Sequence, residues 1–324
     1  MILSKTLRIG LLSCLHHSSK INHLLRGRII LYSSSSSSDF IPPDPPPFNG
    51  TPVFPNVNLQ NISKDAKIRN DDPDAVFVVT GANRGIGRHI VNHLLLNTKG
   101  TIVACYRTIH DNNDNWMNQD RIHPFDNFDL EQQESIQRLQ QTIEKTYNRV
   151  DVLYNVAGIL GNNTPNAPGP ERSLQQMDRD WAIKSMQVNY LGPTFLTQAL
   201  APMMRSTIRK ENRPTSVVAN ISARVGSISD NGLGGWISYR CSKAALNQAT
   251  RTMAHELKRQ GTLCISLHPG TTDTELSKPF SKNVKAERLF PVEFTAERMV
   301  SVVDTIEDVH TGGFYDWAGQ ALSF

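Results

Sequence analysis

From Ala75 almost to the C-terminus, short continuously apolar runs alternate with segments whose apolar residues recur every three or four positions. Val76-Phe77-Val78-Val79, Thr101-Ile102-Val103-Ala104-Cys105, Val152-Leu153-Tyr154, Val217-Val218-Ala219-Asn220-Ile221 and Leu263-Cys264-Ile265-Ser266-Leu267 are of the first kind. Such runs are expected of strands buried on both faces. Ile86, Ile90, Val91, Leu94 and Leu95 fall at helical spacing, as do Ile136, Leu139 and Ile143, and later Leu246, Ala249, Met253 and Leu257. Residues 186–204 read as one long helix with a local irregularity at Gly192-Pro193. Strands and helices in this alternation predict an α/β fold, one doubly wound parallel sheet with helices on both faces, over residues 73–324.

The first 72 residues lack that pattern. Residues 1–38 carry Lys5, Arg8, Lys20, Arg26 and Arg28 and no acid, so a chain of net charge +4 keeps only −1 beyond them. The body therefore gives no electrostatic case for nucleic acid. A basic, Ser- and Leu-rich stretch without acids has the composition of an organellar transit peptide. Its basic, Leu-rich character favours a mitochondrion, and the serine run at 33–38 also suits a chloroplast. Its apolar stretches are too short to span a bilayer, and no membrane span is expected. Residues 39–72, with Pro42, Pro43 and Pro45-Pro46-Pro47, read as a disordered Ser/Pro-rich linker. Cys14, Cys105, Cys241 and Cys264 show no ligand spacing, which predicts reduced thiols and no metal site.

Two motifs carry chemistry. Thr80-Gly81-Ala82-Asn83-Arg84-Gly85-Ile86-Gly87 joins the first strand to a helix. A phosphate is bound there by backbone N–H groups at a helix N-terminus, and side chains would obstruct its approach. The strand before and the helix after make Gly81, Gly85 and Gly87 a dinucleotide cradle in a Rossmann-like sheet. At the end of the second strand stands Cys105-Tyr106-Arg107-Thr108, with no acid until Asp111. An acid there would accept from a ribose 2′-hydroxyl, whereas an arginine accommodates a 2′-phosphate. Arg107, with Arg84 in the turn, favours NADP(H). The second motif is Tyr239-Arg240-Cys241-Ser242-Lys243, which puts a phenol and an ammonium on one helix face. A nearby ammonium and an oxidised nicotinamide favour phenolate, which suits the tyrosine to acid/base work.

With both motifs in place, residues 75–324 resemble the short-chain dehydrogenase/reductase family. The turn from Thr80 to Gly87 is similar to the family's TGxxxGIG, which carries Asn83 and Ile86 with it. Asp129-Leu130 resembles the acid that bonds the adenine amine. Asn155-Val156-Ala157-Gly158 resembles NNAG, with Val at its second position. Asn189 matches the mid-helix Asn of the proton relay, Tyr239 and Lys243 match YxxxK, Pro269-Gly270 matches the PG turn beside the nicotinamide, and Thr274 the Thr after it. The runs Ser222-Ala223-Arg224-Val225-Gly226-Ser227-Ile228 and Gly234-Gly235-Trp236-Ile237-Ser238 are similar to the C-factor and sniffer-like carbonyl reductases.

The resemblance implies a reaction interconverting a small-molecule carbonyl and an alcohol. Tyr239 would be its acid/base, and Lys243 would bond the nicotinamide ribose and depress the tyrosine pKa. Homo-oligomers are common in the family. The second serine of its Ser-Ser-x-x-Gly segment orients the carbonyl oxygen, and here that position is Ala223. Ser222 is the replacement nominated, and Ser227 is another nearby hydroxyl. Loss of this serine also leaves open a catalytically weakened protein that senses NADP(H) or serves as a scaffold. Trp236 and Leu160 would line the substrate pocket or serve as core packing. Residues 287–298 read as a substrate-side loop and a solvated helix face.

Overall fold

The computed structural model describes residues 43–44, 53–108, 119–206 and 213–324, so the expected leader lies outside the described residues. Helix α1 (Lys64–Asp71) leads into β1 (Val76–Thr80), α2 (Gly85–Asn97), β2 (Thr101–Cys105), β3 (Ile122–Phe125), α3 (Gln133–Thr146) and β4 (Val152–Asn155). Then come α4 (Arg179–Met186), α5 (Gly192–Leu200), β5 (Ser216–Ile221), α6 (Ile237–Leu257), β6 (Thr262–His268), β7 (Thr271–Thr272) and β8 (Leu289–Phe290). Helix α7 (Val292–Thr305) and strands β9 (Phe314–Asp316) and β10 (Ala321–Leu322) close the chain.

Eight strands form one sheet in the order β10-β9-β6-β5-β4-β1-β2-β3, parallel except for β9 with β10. The order reverses between β1 and β4, and the crevice beyond the carboxyl ends of those strands is where such sheets hold ligands. The period of two along each strand divides the core. Phe77, Val79, Ile102, Ala104, Ile265 and Leu267 pack with Ile90, Val91 and Leu94 of α2 and Met299, Val300 and Val303 of α7. Val76, Val78, Val103, Cys105 and Cys264 pack on the other face with Ile136, Leu139 and Ile143 of α3 and Leu196 and Leu200 of α5.

Several elements depart from the expected pattern. The stretch 186–204 is broken: α4 ends at Met186, a π-helical turn spans Gln187–Leu191, and α5 starts at Gly192. Pro193 has no N–H for the carbonyl four residues back. A Cβ on Gly192 would lie 2.7 Å from the Leu130 Cβ, so glycine is required by close approach. Strand β3 contains Pro124 and so reads poorly as a strand, but it is the sheet's edge, where proline is tolerated. The buried face of α6 is Ser242, Lys243, Leu246, Asn247, Thr250 and Ala254, a more polar stripe than periodicity suggests. Several of its polar atoms are bonded, as where Asn220 Nδ2 donates to Thr250 Oγ1 at 2.8 Å. Helix α7 buries Thr295, Ala296, Met299 and Val300, so the region at 287–298 is more than a solvated face.

The linker expected at 39–72 is corrected over its second half. Val57 is buried, and its N–H donates to the Gly319 carbonyl at 2.8 Å. The Ala321 N–H donates to Asn56 Oδ1 at 2.8 Å. Ser63 caps α1, Asp65 accepts from the N–H and hydroxyl of Thr215, and Arg69 Nη2 donates to Asp304 Oδ1 at 2.9 Å with Arg69 only 1% exposed. Specific polar bonds, rather than an apolar stripe, hold this segment, which is why composition alone reads it as unfolded.

Candidate active site

The turn after β1 is shaped by its glycines. Gly81 and Gly85 have φ of +66° and +52°, the left-handed region that a Cβ disfavours. A Cβ on Gly87 would lie 2.3 Å from the Gly81 carbonyl oxygen, and one on Gly81 3.1 Å from the Ala157 Cα. Thr80 Oγ1 accepts from the N–H groups of Val156 and Ala157 at 3.0 and 3.1 Å, which sews β1 to the segment after β4. Helix α2 starts here with no side-chain cap and no acid in its first turn. Its N-terminus is thus open to an anion.

One cleft carries most of the expected site. Gly81, Asn83, Arg84, Gly85, Ile86 and Gly87 line it with Arg107, Asp129, Ala157 and Gly158, and Ser222, Tyr239, Lys243, Pro269 and Thr274 complete it. Asn83 Nδ2 donates to the Thr108 carbonyl at 2.6 Å, tying the glycine turn to the end of β2. Arg84 and Arg107 are exposed at that end. Asp129 Oδ1 accepts from the Glu131 N–H at 3.0 Å.

At the other end, Lys243 Nζ donates to the Ile221 carbonyl at 2.8 Å and lies 5.7 Å from the centre of the Tyr239 ring. Burial lowers the Lys243 pKa to about 7 and pushes the Tyr239 phenol above its ordinary value. In the protein alone, desolvation favours the protonated phenol, whereas the expected pull toward phenolate also invokes an oxidised nicotinamide beside the ring. Ser222 is 1% exposed, and its hydroxyl has no protein partner. Ser227 Oγ is instead engaged with Ser229 Oγ and the Asp230 N–H, each at 3.2 Å.

Three expected residues stand behind the cleft wall. Asn155 Nδ2 donates to Asn220 Oδ1 at 2.8 Å, so it ties β4 to β5. Asn189 accepts from the Ile159 N–H and donates to its carbonyl, both at 2.8 Å, and donates to Ser242 Oγ at 3.1 Å. Its side chain is fully committed to holding the segment after β4. Gly270 has φ +77°, and a Cβ there would lie 2.4 Å from the Phe290 ring. It is a packing and turn requirement.

The residues present fit a dinucleotide: a cradle that side chains would fill, an uncapped helix start, two arginines at one end and an unpaired buried hydroxyl at the other. A family model described as short chain dehydrogenase matches residues 75–285. The chain belongs to the short-chain dehydrogenase family. The chain is 32% identical to the C-signal protein of Myxococcus xanthus over 173 residues, 53% of this chain and 92% of that one. It is 29% identical to 1-hydroxy-2-glutathionyl-2-methyl-3-butene dehydrogenase of Rhodococcus sp. (strain AD45), over 77% of this chain and all of that one. Among solved structures, NADPH-bound carbonyl reductase from chicken fatty liver superposes with a TM-score of 0.66 at 26% identity, covering 78% of this chain and 99% of that one. Carbonyl reductase Sniffer of D. melanogaster superposes with 0.67 at 25%, covering 78% and 100%.

The cleft has further lining that motif reading passed over, including Tyr106, Phe128, Ile159, Ile221 and Leu276. Each adjoins a motif residue or lies a few positions along from one, which is the available signal. Among the described residues, no group of three or more His, Cys, Asp or Glu side chains is placed to hold a metal, and no helix is long and apolar enough to cross a membrane.

Proposed function

We propose that this short-chain dehydrogenase interconverts a carbonyl and an alcohol with NADP(H), Tyr239 acting as acid/base. The observation that carries the reading is that Tyr239, Lys243 and the unpaired Ser222 hydroxyl line the same cleft as the glycine cradle. When bound, NADPH supplies the hydride for the carbonyl carbon. Ser222 donates to the substrate oxygen and orients it, and Tyr239 gives that oxygen its phenolic proton. Burial keeps the phenol protonated, which favours reduction near neutrality. Lys243 spends one N–H on Ile221 and has others for a cofactor hydroxyl. Arg84 and Arg107 support the choice of NADP(H), since guanidinium forms charge-assisted bonds to a 2′-phosphate. The basic leader supports delivery to an organelle, a mitochondrion before a chloroplast. A fluorescent fusion of residues 1–40 should enter the organelle, and diffuse signal would refute that part.

The direct test gives the full chain NADPH and a panel of aldehydes and ketones. Absorbance of the reduced cofactor should fall. Ser222→Ala should lower kcat by about 10²–10³-fold, in the range for a lost donor to a developing oxyanion, and Ser227→Ala should leave it within about twofold. Tight NADPH binding without turnover across the panel would favour a cofactor sensor or scaffold instead.

A further inference from the structure

Tyr239 has an aromatic neighbour whose backbone is unusual. Trp236, immediately before α6, has φ +56° and follows Gly234 and Gly235 at +66° and +65°. A bulky residue in the left-handed region is an outlier, and such residues persist where the surroundings hold them, often at functional sites. Here the restraints are explicit. The Trp236 N–H donates to the Glu171 carbonyl at 2.5 Å. The buried Glu171 carboxylate accepts from the Ser238 hydroxyl, and from the Ser238 N–H at 3.3 Å. Arg240 donates to the carbonyls of Gly235 and Gly234 at 2.9 and 3.2 Å.

The turn presents the indole edge-to-face to the Tyr239 ring, with centroids 6.3 Å apart and planes at 72°. The indole also meets the Phe280 ring, with centroids 5.5 Å apart. Phe280 belongs to the segment between β7 and β8, from which Thr274 and Leu276 line the cofactor cleft. Trp236 and Phe280 are both partly exposed, so neither is core filling. Beside it, Arg224 pairs with Asp230 at 2.6 Å, and Arg240 donates to backbone carbonyls.

We infer that Trp236 is the specificity-determining residue of the site, and that with Phe280 it selects carbonyl compounds bearing a flat apolar group beside the reacting carbon. The inference rests on the carbonyl-reductase reading for what reacts, but not for what binds. A flat group gains edge or offset contact with the indole and Phe280. A charged group would give up hydration against the two apolar rings.

The test measures binding without turnover, by calorimetry of the full chain saturated with NADP+. Acetophenone should bind about tenfold more tightly than butanone or pyruvate, the range for an apolar pocket contact. Trp236→Ala should abolish that preference while keeping butanone and NADP+ affinity within about threefold, and Trp236→Phe should retain most of it. Phe280→Ala should lose part of the preference and covers the case in which Trp236→Ala fails to fold. Unchanged acetophenone affinity in Trp236→Ala and Phe280→Ala, tighter binding of pyruvate, or no acetophenone binding would overturn the inference. Acetophenone bound through Trp236 without NADPH oxidation would sustain it while sinking the proposed reaction.

Discussion

The two ends of the cleft are built by different means. The cradle end is main chain: left-handed glycines, an uncapped helix start and no room for a side chain at Gly87. The reactive end is side chain: Ser222 just after β5, and Tyr239 and Lys243 on α6, with Ser222 and Lys243 buried and Tyr239 partly so. Shape governs the first and desolvation the second. Changes at one end should therefore alter cofactor binding, and changes at the other should alter chemistry.

The sharpest separation should come from Tyr239→Phe, which removes only the phenolic oxygen. Stopped-flow measurement should find kcat reduced by about 10³-fold, within the range for lost acid catalysis, with NADPH affinity unchanged. A comparable loss of NADPH affinity would collapse the distinction. From the other end, Gly87→Ala puts a methyl group 2.3 Å from the Gly81 carbonyl oxygen. NADPH affinity by fluorescence titration should fall about 100-fold as the turn is displaced from its phosphate-binding shape.

Lys243→Met probes desolvation directly and should lower kcat by about 10²-fold. In the folded protein Lys243 gives up its proton near pH 7, against an ordinary value of 10.5. Between those values the unfolded chain binds more protons, so this group's contribution to stability rises with pH. Below pH 7 the buried ammonium exerts its full cost. The melting temperature of Lys243→Met should therefore exceed that of the parent at pH 6, and the gain should shrink by pH 9. A gain that grows with pH would show that the lysine is not desolvated. The smallest effect is expected at the exposed rim. Arg107→Ala should weaken NADPH about tenfold and NADH within about twofold, as for one lost guanidinium–phosphate contact.

This contrast also explains what the sequence made legible. The strands of the central sheet are local apolar runs, so β1, β2, β4, β5 and β6 are readable, and the glycine turn follows from its place between β1 and α2. Lys243 and Tyr239 are legible as a spacing, but their protonation is not, because it depends on how deeply α6 is buried. Asn189 reads as a site residue, yet its amide is consumed by Ile159 and Ser242. Those bonds span 30 and 53 residues of chain and leave no periodic trace. The edge strand β3 carries Pro124, and β9 and β10 have three and two residues, too short to form a pattern.

The clasp made by Asn56, Val57, Ser63, Asp65 and Arg69 sets a limit on how far the chain can be shortened from the front. A peptidase trimming this polypeptide from the front loses nothing of the clasp until it reaches Asn56. A cut at residue 73 would strand Asp304 in the interior without the guanidinium that neutralises it, and would free the far rim of the sheet at Gly319 and Ala321. Shortening of the chain from the front is thus bounded at Asn56 by folding stability.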